Sequence, residues 1–460
     1  MAPKNIINEL DLIFHPRSLA LIGASAKPGK VGRMFMDRFI DTGFETLYPV
    51  NPGADEVLGR KAYASIRDIP GPVDMAFIVL PPKFVLDTVK DCVAKGVKGI
   101  IINSSGFGEI GKEGKEIEQE MARVARAGGA RIIGPNCVGV YCPASKLTFP
   151  MGPGKEIGSV GVVSQSGSLA DHLTLIATRN GVKFSKAISC GNECDLNALD
   201  FFEYLGEDPE TKIIVSYLEG IKDGRKLSAL LKKISKKKPV IMWKCGESEA
   251  GSRAAASHTG ALAGSASVWN GMLNGAGVVR VNSLEEILDT LYAFYFQPLP
   301  PGKRVGIITG PGGPGVGTTD AYLSMGLKVP RLSPDIKEKI RKVIPPAGTS
   351  AENPIDLSLA SIVNSKIFSE VIKTVSKDDQ IDMLQIIGIG GKQFHDIIAD
   401  TTKDMNKPVA VSYIMPMQTV MKDADMYIDS SIPLYSDPRR AAKALSKMAH
   451  YAEFVRNQQL

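Results

Sequence analysis

The sequence alternates short apolar runs with stretches of helical length, and no other feature constrains the fold as strongly. The first part of the chain contains five such runs, Ser18–Ile22, Thr46–Val50, Met75–Val79, Gly99–Ile102 and Ala130–Ile133. Segments long enough for helices, such as 84–95 and 113–127, lie between them. Continuous apolar strands that alternate with helices are typical of parallel sheets covered on both faces. The sequence therefore predicts an α/β protein.

Length and composition limit the alternatives. A chain of 460 residues with 44% hydrophobic content can form two or three domains, and its net charge of +6 does not favour nucleic-acid binding. It contains no apolar run of 18 residues and no apolar signal core, so we expect a cytoplasmic protein that is not bound to a membrane. The six cysteines form no CxxC pair and have no histidine at metal spacing. We therefore expect reduced thiols and no metal site.

The turn after the first predicted strand is rich in glycine and lysine and should precede a helix. Such a turn can cradle phosphate through free backbone N–H groups at the helix start. It differs from the dinucleotide fingerprint because Ser25 replaces the second glycine, and Asn51 stands where an NAD site needs an acid. The pattern predicts a site of adenine-nucleotide type, bordered by the turns that follow the other strands. Those turns are 80–82, 103–106 and 134–137.

The rest of the chain contains an internal repeat. The run Ser159–Val163 and its small-residue turn resemble Arg304–Ile308 and the glycine-rich turn that follows it. Two further pairs of matching segments are 192–196 with 353–357, and 238–240 with 407–409. The repeat predicts two duplicated, doubly wound domains of flavodoxin-like type. Both turns should open a helix whose N-terminus can hold an anion.

Features present in only one copy are candidates for function. His258 lies in the segment Lys244–Gly264, whose small and polar residues predict a mobile surface loop. Glu219 ends a predicted strand of the same copy, whereas the matching strand of the second copy ends in Gly388-Ile-Gly-Gly. The segment after Lys407-Pro-Val409, which corresponds to the one that carries His258, has no matching histidine. An imidazole held by an acid can attack phosphorus and carry a phosphoryl group. The alternatives are a surface histidine and an exposed acid at a strand end.

Stretches rich in proline and glycine predict the domain boundaries. The first domain spans 1–142 and is followed by a linker at 143–158. The second domain, which carries the histidine segment, spans 159–296. After a linker at 297–303, the third domain spans 304–460.

Several motifs together resemble one family. They are Ser257–Gly264, Gly275–Val281, Gly134–Gly139, Ser164–Ser168 and Asn353–Asp356. With them, essentially the whole chain resembles the α subunit of an NDP-forming acyl-CoA synthetase of the ADP-forming acetate–CoA ligase type, in the succinyl-CoA synthetase superfamily. The resemblance implies a Rossmann-like CoA-binding domain followed by two flavodoxin-like ligase domains.

The resemblance also implies a reaction and its residues. An acyl-CoA, ADP and phosphate would be interconverted with a carboxylic acid, CoA and ATP through an acyl phosphate and a phosphohistidine. In this reaction His258 would carry the phosphoryl group and Glu219 would steady it. The implied CoA-binding residues are Gly23, Ser25, Lys27, Asn51, Val79, Pro81, Ser104, Ser105 and Asn136. The implied phosphate-binding residues are Ser166, Gly167, Ser168, Asn192, Gly312, Gly313 and Gly315.

The chain shows no ATP-grasp domain, which the family often carries on a separate β subunit. The resemblance therefore implies an α2β2 heterotetramer in which Mg²⁺ and ADP or ATP bind mainly to the β subunit. One departure is that Pro311 and Pro314 remove amide donors from the second anion-binding turn. A non-catalytic CoA-binding or regulatory scaffold, a relative of protein acyltransferases, and an NAD(P) oxidoreductase remain alternatives.

Overall fold

The computed structural model describes the backbone of residues 6–259, 265–358 and 364–458, and it describes their side chains except at 255–259 and 365. The chain forms two compact units, Met1–Asn282 and Ser283–Leu460. The first unit contains two large sheets and the second contains one. All three are built on parallel strands, which confirms the predicted α/β class.

The first sheet consists of strands buried along most of their length. In chain order its strands and an inserted hairpin are β1 Leu19–Ile22, β2 Leu47–Val50, the hairpin β3 Glu56–Val57 and β4 Arg60–Lys61, β5 Met75–Ile78, β6 Gly99–Ile102 and β7 Arg131–Ile133. The sheet order is β2-β1-β5-β6-β7. Its helices are α1 Ile6–Phe14, α2 Val31–Asp41, α3 Pro82–Lys95 and α4 Lys112–Ala127. Helices on both faces bury the strands, which explains their continuous apolar sequence.

The second sheet has the flavodoxin-like strand order. Its strands are β8 Val140–Tyr141, β9 Ile157–Ser164, β10 Phe184–Ser189, β11 Ile213–Leu218, β12 Val240–Lys244 and β13 Val279–Val281. Its helices are α5 Gly167–Arg179, α6 Ala198–Glu207, α7 Gly224–Ser235, α8 Glu249–Thr259 and α9 Ala266–Gly275. The order is β13-β12-β11-β9-β10-β8, in which β8 alone is antiparallel. The five parallel strands therefore follow the order 2-1-3-4-5.

The third sheet repeats this order as β15-β14-β16-β17-β18. Its strands are β14 Val305–Thr309, β15 Ile355–Asp356, β16 Met383–Gly388, β17 Val409–Tyr413 and β18 Leu434–Tyr435. The helices of this unit are α10 Leu284–Phe296, α11 Gly312–Ser324, α12 Pro334–Val343, α13 Ser365–Val375, α14 Lys392–Thr402, α15 Met417–Asp429 and α16 Pro438–Asn457. The predicted pair of flavodoxin-like domains is confirmed.

The first two sheets share one hydrophobic core. Phe14 of α1 packs on Tyr204 of α6, with ring centres 4.7 Å apart. Asp195, which follows β10, accepts hydrogen bonds from Arg126 at 2.5 Å and from Arg131 at 2.9 Å. Strand β8 lies within the predicted first domain but pairs with β10 of the second sheet. The two predicted domains are therefore tightly joined in one unit.

Two further differences from the sequence expectations concern helices. The segment around His258 was predicted to be a loop, and this is wrong over 249–259, where the backbone forms α8. Small residues do not exclude a helix, because alanine is the best helix former and Arg253 bonds Glu249 one turn away at 2.7 Å. Helix α10 was placed in the second domain, but it packs against α16 of the second unit, where Arg440 bonds Asp289 at 2.8 Å.

The sequence match between 192–196 and 353–357 is also wrong in register. In the second sheet Ser189 pairs with Ser164, and in the third sheet Asp356 pairs with Thr309. The residue equivalent to Asp356 is therefore Ser189 and not Asp195. In the third sheet α12 lies between α11 and the edge strand β15, whereas β10 follows α5 directly, and this insertion concealed the true alignment.

Candidate active site

A cavity of about 550 Å³ lies at the carboxyl ends of β1, β2, β5 and β6. Ligands of doubly wound sheets bind at this edge. The predicted CoA-binding residues in its lining are Gly23, Ser25, Asn51, Val79, Pro81, Ser104 and Ser105. Lys27 and Asn136 are outside the lining, and Lys30 is part of it. The structure thus brings most of the predicted set together.

Two polar side chains brace the walls of this cavity. Asn51 donates to the carbonyl of Ala24 at 2.8 Å and accepts from the N–H of Gly53 at 2.8 Å. It therefore supports the turn at the position where an NAD-binding protein would hold the ribose with an acid. Ser104 donates to the carbonyl of Leu80 at 2.5 Å and so ties two strand ends together.

The phosphate-type turn is shaped by glycine and a helix start. Gly23 has a φ of 93°, and a Cβ there would lie 2.2 Å from the carbonyl oxygen of Val79. Lys30 is the residue before α2, and its own side chain does not cap the helix. The free N–H groups of α2 and the lysine charge together favour phosphate. Lys27 instead donates its backbone N–H to Ser25 at 3.1 Å.

A second cavity of about 230 Å³ lies between the first and second sheets. Its lining residues are Asn103, Asn136, Cys137, Val138, Gln165, Ser166, Gly167, Ser168, Gly191 and Asn192. Asn103 lines both cavities, so the two adjoin. Ser166 caps the start of α5 by accepting the N–H of Leu169 at 3.3 Å. The N-terminus of α5 therefore opens into this small polar space, where an anion is favoured.

Asn192, a predicted phosphate ligand, has its side chain already engaged. Its amide donates to Glu109 at 2.5 Å and to Glu118 at 2.7 Å, and its carbonyl accepts from Asn136 at 3.3 Å. Burial raises the pKa of Glu118. The backbone N–H of Gly106 donates to Glu109 at 2.5 Å. Glu109 lies in the turn at 108–110 and Glu118 in α4, both far from Asn192 in the sequence, so sequence spacing gave no sign of this contact.

Glu219 lies at the end of β11 and is only 5% exposed. Its carboxylate accepts a hydrogen bond from Tyr217 at 3.3 Å. Its backbone N–H donates to Gln165 at 2.7 Å, and its carbonyl accepts from the ammonium of Lys244 at 2.8 Å. Burial lowers the pKa of Lys244, whose ammonium lies 4.9 Å from the centre of the Trp269 ring.

The backbone of His258 belongs to α8, but its side chain lies outside the described residues. The predicted pairing of this imidazole with Glu219 is therefore outside the description as well. Helix α8 follows β12, which is the neighbour of β11 in the sheet. It also contacts the turn at 108–110, which contains Glu109. The helix that carries the histidine thus follows the strand next to that of Glu219 and contacts the turn that contains Glu109.

In the second copy a carboxylate faces the helix start. Thr309 donates to the carbonyl of Pro311 at 2.6 Å, and α11 begins at Gly312. A Cβ at Gly312 would lie 2.1 Å from a carboxylate oxygen of Asp356. A carboxylate therefore lies against Gly312, whereas the other two predicted phosphate-binding residues, Gly313 and Gly315, do not face it. Their role stays a prediction.

Within the described residues, no group of three or more histidine, cysteine, aspartate or glutamate side chains is placed to hold a metal ion. None of the helices in the same residues combines the length and the apolar character needed to cross a membrane.

Three family models match successive parts of the chain. A CoA binding domain matches residues 17–143, a succinyl-CoA ligase like flavodoxin domain matches 157–294, and a ligase-CoA domain matches 305–446. The chain is 39% identical to the α subunit of acetate–CoA ligase [ADP-forming] II of Pyrococcus furiosus, over 97% of this chain and 98% of that protein. This chain belongs to the ADP-forming acetate–CoA ligase family. The resemblance predicted from its motifs is thereby confirmed.

Other ligases of this family extend the comparison. The α subunit of ligase I of Pyrococcus furiosus is 38% identical, over 97% of this chain and 98% of its own length. A structure of the dinucleotide-forming acetyl-coenzyme A synthetase 1 of Candidatus Korarchaeum cryptofilum, with phosphate and ADP, is 31% identical. It covers 98% of this chain and 99% of its own, with a TM-score of 0.89. The fold and the ligase class therefore agree with the sequence analysis.

Proposed function

We propose that this chain is the α subunit of an ADP-forming acyl-CoA synthetase that works through an acyl phosphate and a phosphohistidine. A phosphate oxygen attacks the thioester carbon, and CoA leaves as its thiol. His258 then attacks phosphorus through Nε2, and the carboxylate of the acid leaves. The phosphohistidine passes its phosphoryl group to ADP, and each step is reversible.

One observation carries this proposal: the cavity suited to CoA adjoins the anion site at the start of α5. The thioester of a CoA bound along Gly23, Lys30 and Ser104 can reach the smaller cavity past Asn103. There the N–H groups at Ser166–Ser168 support the phosphate and the charge that develops on it. Holding both reactants at this junction lowers the entropic cost of the reaction.

Glu219 and His258 form the transfer pair in this proposal. A carboxylate on Nδ1 fixes the tautomer of the ring and raises the basicity of Nε2. Burial of Glu219 shields its carboxylate from water, which strengthens its interaction with a positively charged ring. Helix α8 follows β12 and contacts the turn at 108–110, and in this proposal it is the element that carries His258 between this site and the nucleotide.

The nucleotide site is assigned to a partner. Relatives named as α subunits support a β subunit, which we propose supplies an ATP-grasp domain that binds ADP or ATP with Mg²⁺ in an α2β2 complex. The chain alone should bind CoA but perform no net ATP-dependent synthesis. Robust ATP-dependent activity of the purified single chain would contradict this division.

Phosphoryl labelling tests the mechanism. The chain is mixed with a partner β subunit and radiolabelled ATP, and the label on the α chain is followed by gel after acid or base treatment. We expect a label that acid removes and base preserves. An unlabelled wild-type chain in an active complex would leave the scaffold alternative as the better explanation.

The CoA site is tested by calorimetry with two lysine variants. Lys30 lines the cavity and Lys27 does not, so Lys30→Glu should weaken CoA binding more than Lys27→Glu. The loss should shrink at high salt, because charge repulsion is screened. If both variants bind CoA as tightly as wild type does at low salt, CoA does not bind at this turn. Tight NAD(P) binding without CoA binding would favour the oxidoreductase.

A further inference from the structure

The backbone around Glu219 is held by two side chains from neighbouring strand ends. Gln165 accepts the N–H groups of Glu219 at 2.7 Å and of Gly220 at 3.2 Å, and it donates to the carbonyl of Gly220 at 3.0 Å. Lys244 donates to the carbonyl of Glu219 at 2.8 Å. Each polar backbone group of Glu219 and Gly220 is therefore fixed by one of these two residues.

These two residues come from the other two parts of the proposed site. Gln165 immediately precedes Ser166, which caps the anion-binding helix α5. Lys244 ends β12, after which the chain continues to α8 and His258. The turn that carries the acid is thus connected on one side to the phosphate site and on the other to the histidine segment.

Both side chains are buried and paired, so they are held firmly. Gln165 is 7% exposed and Lys244 is 4% exposed. Lys244 also donates to the carbonyl of Cys245 and lies over the ring of Trp269. Burying an amide and an ammonium is costly unless their hydrogen bonds are made. Much of that cost is offset here by the hydrogen bonds to the turn that carries Glu219.

The second copy of the fold provides an internal comparison. Strand pairing makes Ser164 equivalent to Thr309, Tyr217 to Ile387, and Leu218 to Gly388. The equivalent positions that follow are Gln165 and Gly310, Glu219 and Ile389, and Lys244 and Tyr413. The copy without the acid therefore lacks both residues that hold the acid's turn. The fold itself does not require them.

We propose that Gln165 and Lys244 are positioning residues that hold Glu219 in place for phosphoryl transfer. This inference rests on the proposed role of Glu219. A shift of the turn would move the carboxylate relative to the α5 N-terminus, and small misplacements of a reacting group reduce rates strongly. Neither residue is required to contact the substrate.

The test uses Gln165→Met in the complex with the partner subunit. Methionine has a side chain of similar length but cannot replace the hydrogen bonds that Gln165 makes with the turn. We expect the rate of histidine phosphorylation to fall about tenfold to a hundredfold. The KM for CoA should stay within about twofold, because the CoA cavity does not include Gln165. Lys244→Met should likewise lower the rate of histidine phosphorylation and leave the KM for CoA nearly unchanged.

The matched control is Gln385→Met. Gln385 is fully buried in β16 and also makes three hydrogen bonds, to Tyr322, Ile386 and Ser412. Its loss should lower thermal stability as much as Gln165→Met does, but it should leave the phosphorylation rate near that of wild type. A rate for Gln165→Met no lower than that of this control would overturn the inference.

A double variant separates positioning from a general structural effect. If Gln165 acts through Glu219, then adding Gln165→Met to Glu219→Gln should lower the rate little further. Independent, multiplying losses would contradict the inference. If wild type itself takes no label, the proposed function is wrong. If wild type is labelled but Gln165→Met is labelled as fast as the control, only the positioning role is wrong.

Discussion

The second and third sheets have the same strand order, and their helix starts are built in the same way. In each, the hydroxyl that ends the first strand donates to a backbone carbonyl two residues later, from Ser164 at 2.7 Å and from Thr309 at 2.6 Å. They differ in what faces that helix start. Beside Gly167 lies the neutral hydroxyl of Ser189, and beside Gly312 lies the carboxylate of Asp356.

This difference separates what builds the fold from what performs the chemistry. An acid at a helix N-terminus stabilises the helix. It also occupies the place where an external anion would bind, and its charge repels that anion. The helix start of the third sheet therefore already faces a negative charge. The second sheet leaves its helix start open to a cavity and adds Glu219 at the next strand end.

The largest effect should come from His258, which has no counterpart in the third sheet. His258→Ala should abolish labelling from ATP and reduce turnover on the order of 10⁴-fold or more, because the covalent carrier is removed. His15→Ala, at the end of α1, is the control and should keep normal turnover. Label at the wild-type level on His258→Ala would exclude this residue as the carrier.

Glu219→Gln should have the next largest effect. The variant keeps the shape and some hydrogen bonding of the side chain but loses the charge that supports the imidazole. We expect a rate loss between about 10-fold and 10⁴-fold, bounded above by what a triad acid contributes. Single-turnover phosphorylation measures it. An unchanged rate would remove the acid's role while leaving that of His258 intact.

Ser189→Asp would give the second sheet the acid of the third. The new carboxylate would face the start of α5 and repel phosphate, so KM for phosphate should rise about tenfold to a hundredfold. Ser189→Ala is the matched control, since it removes only the acceptor for the N–H of Val138 at 3.2 Å. If both variants have the same KM for phosphate, phosphate does not bind at the start of α5.

The reverse exchange, Asp356→Asn, should have the smallest effect. Removing the charge from the start of α11 costs about 0.3–1 kcal/mol of helix stabilisation, which lowers the Tm by about 1–4 °C. Turnover should stay close to wild type. A marked fall in the KM for phosphate would show instead that the third sheet's helix start also binds the anion.

The sequence predicted the sheets well because their strands are continuous apolar runs between helices. It predicted the cavity residues of the first sheet because they follow strand ends that must share one edge. It failed at 249–259 because small residues were treated as a loop, although alanine favours a helix. It also misaligned Asn192 with Asn353, because the insertion of α12 moves the third sheet's edge strand along the chain.

Other parts of the site could not be predicted because they depend on contacts between distant residues. The bonds from Asn192 to Glu109 and Glu118 join segments that are 83 and 74 residues apart. The hydrogen bonds of Gln165 become visible only once β9 and β11 are neighbours. From the sequence alone, Gln165 is one residue of a turn made of small residues, and no role for its side chain is indicated.

Strand β8 ties the folding of the first sheet to that of the second. Val140 and Tyr141 complete the edge of β10, although the chain has only just left the first sheet. A fragment that begins at β9 would present β10 as an uncovered edge, which is prone to pair with other chains and aggregate. The first unit should therefore unfold in one cooperative transition. Rearrangements of this gene that preserve a working protein would have to keep both sheets together.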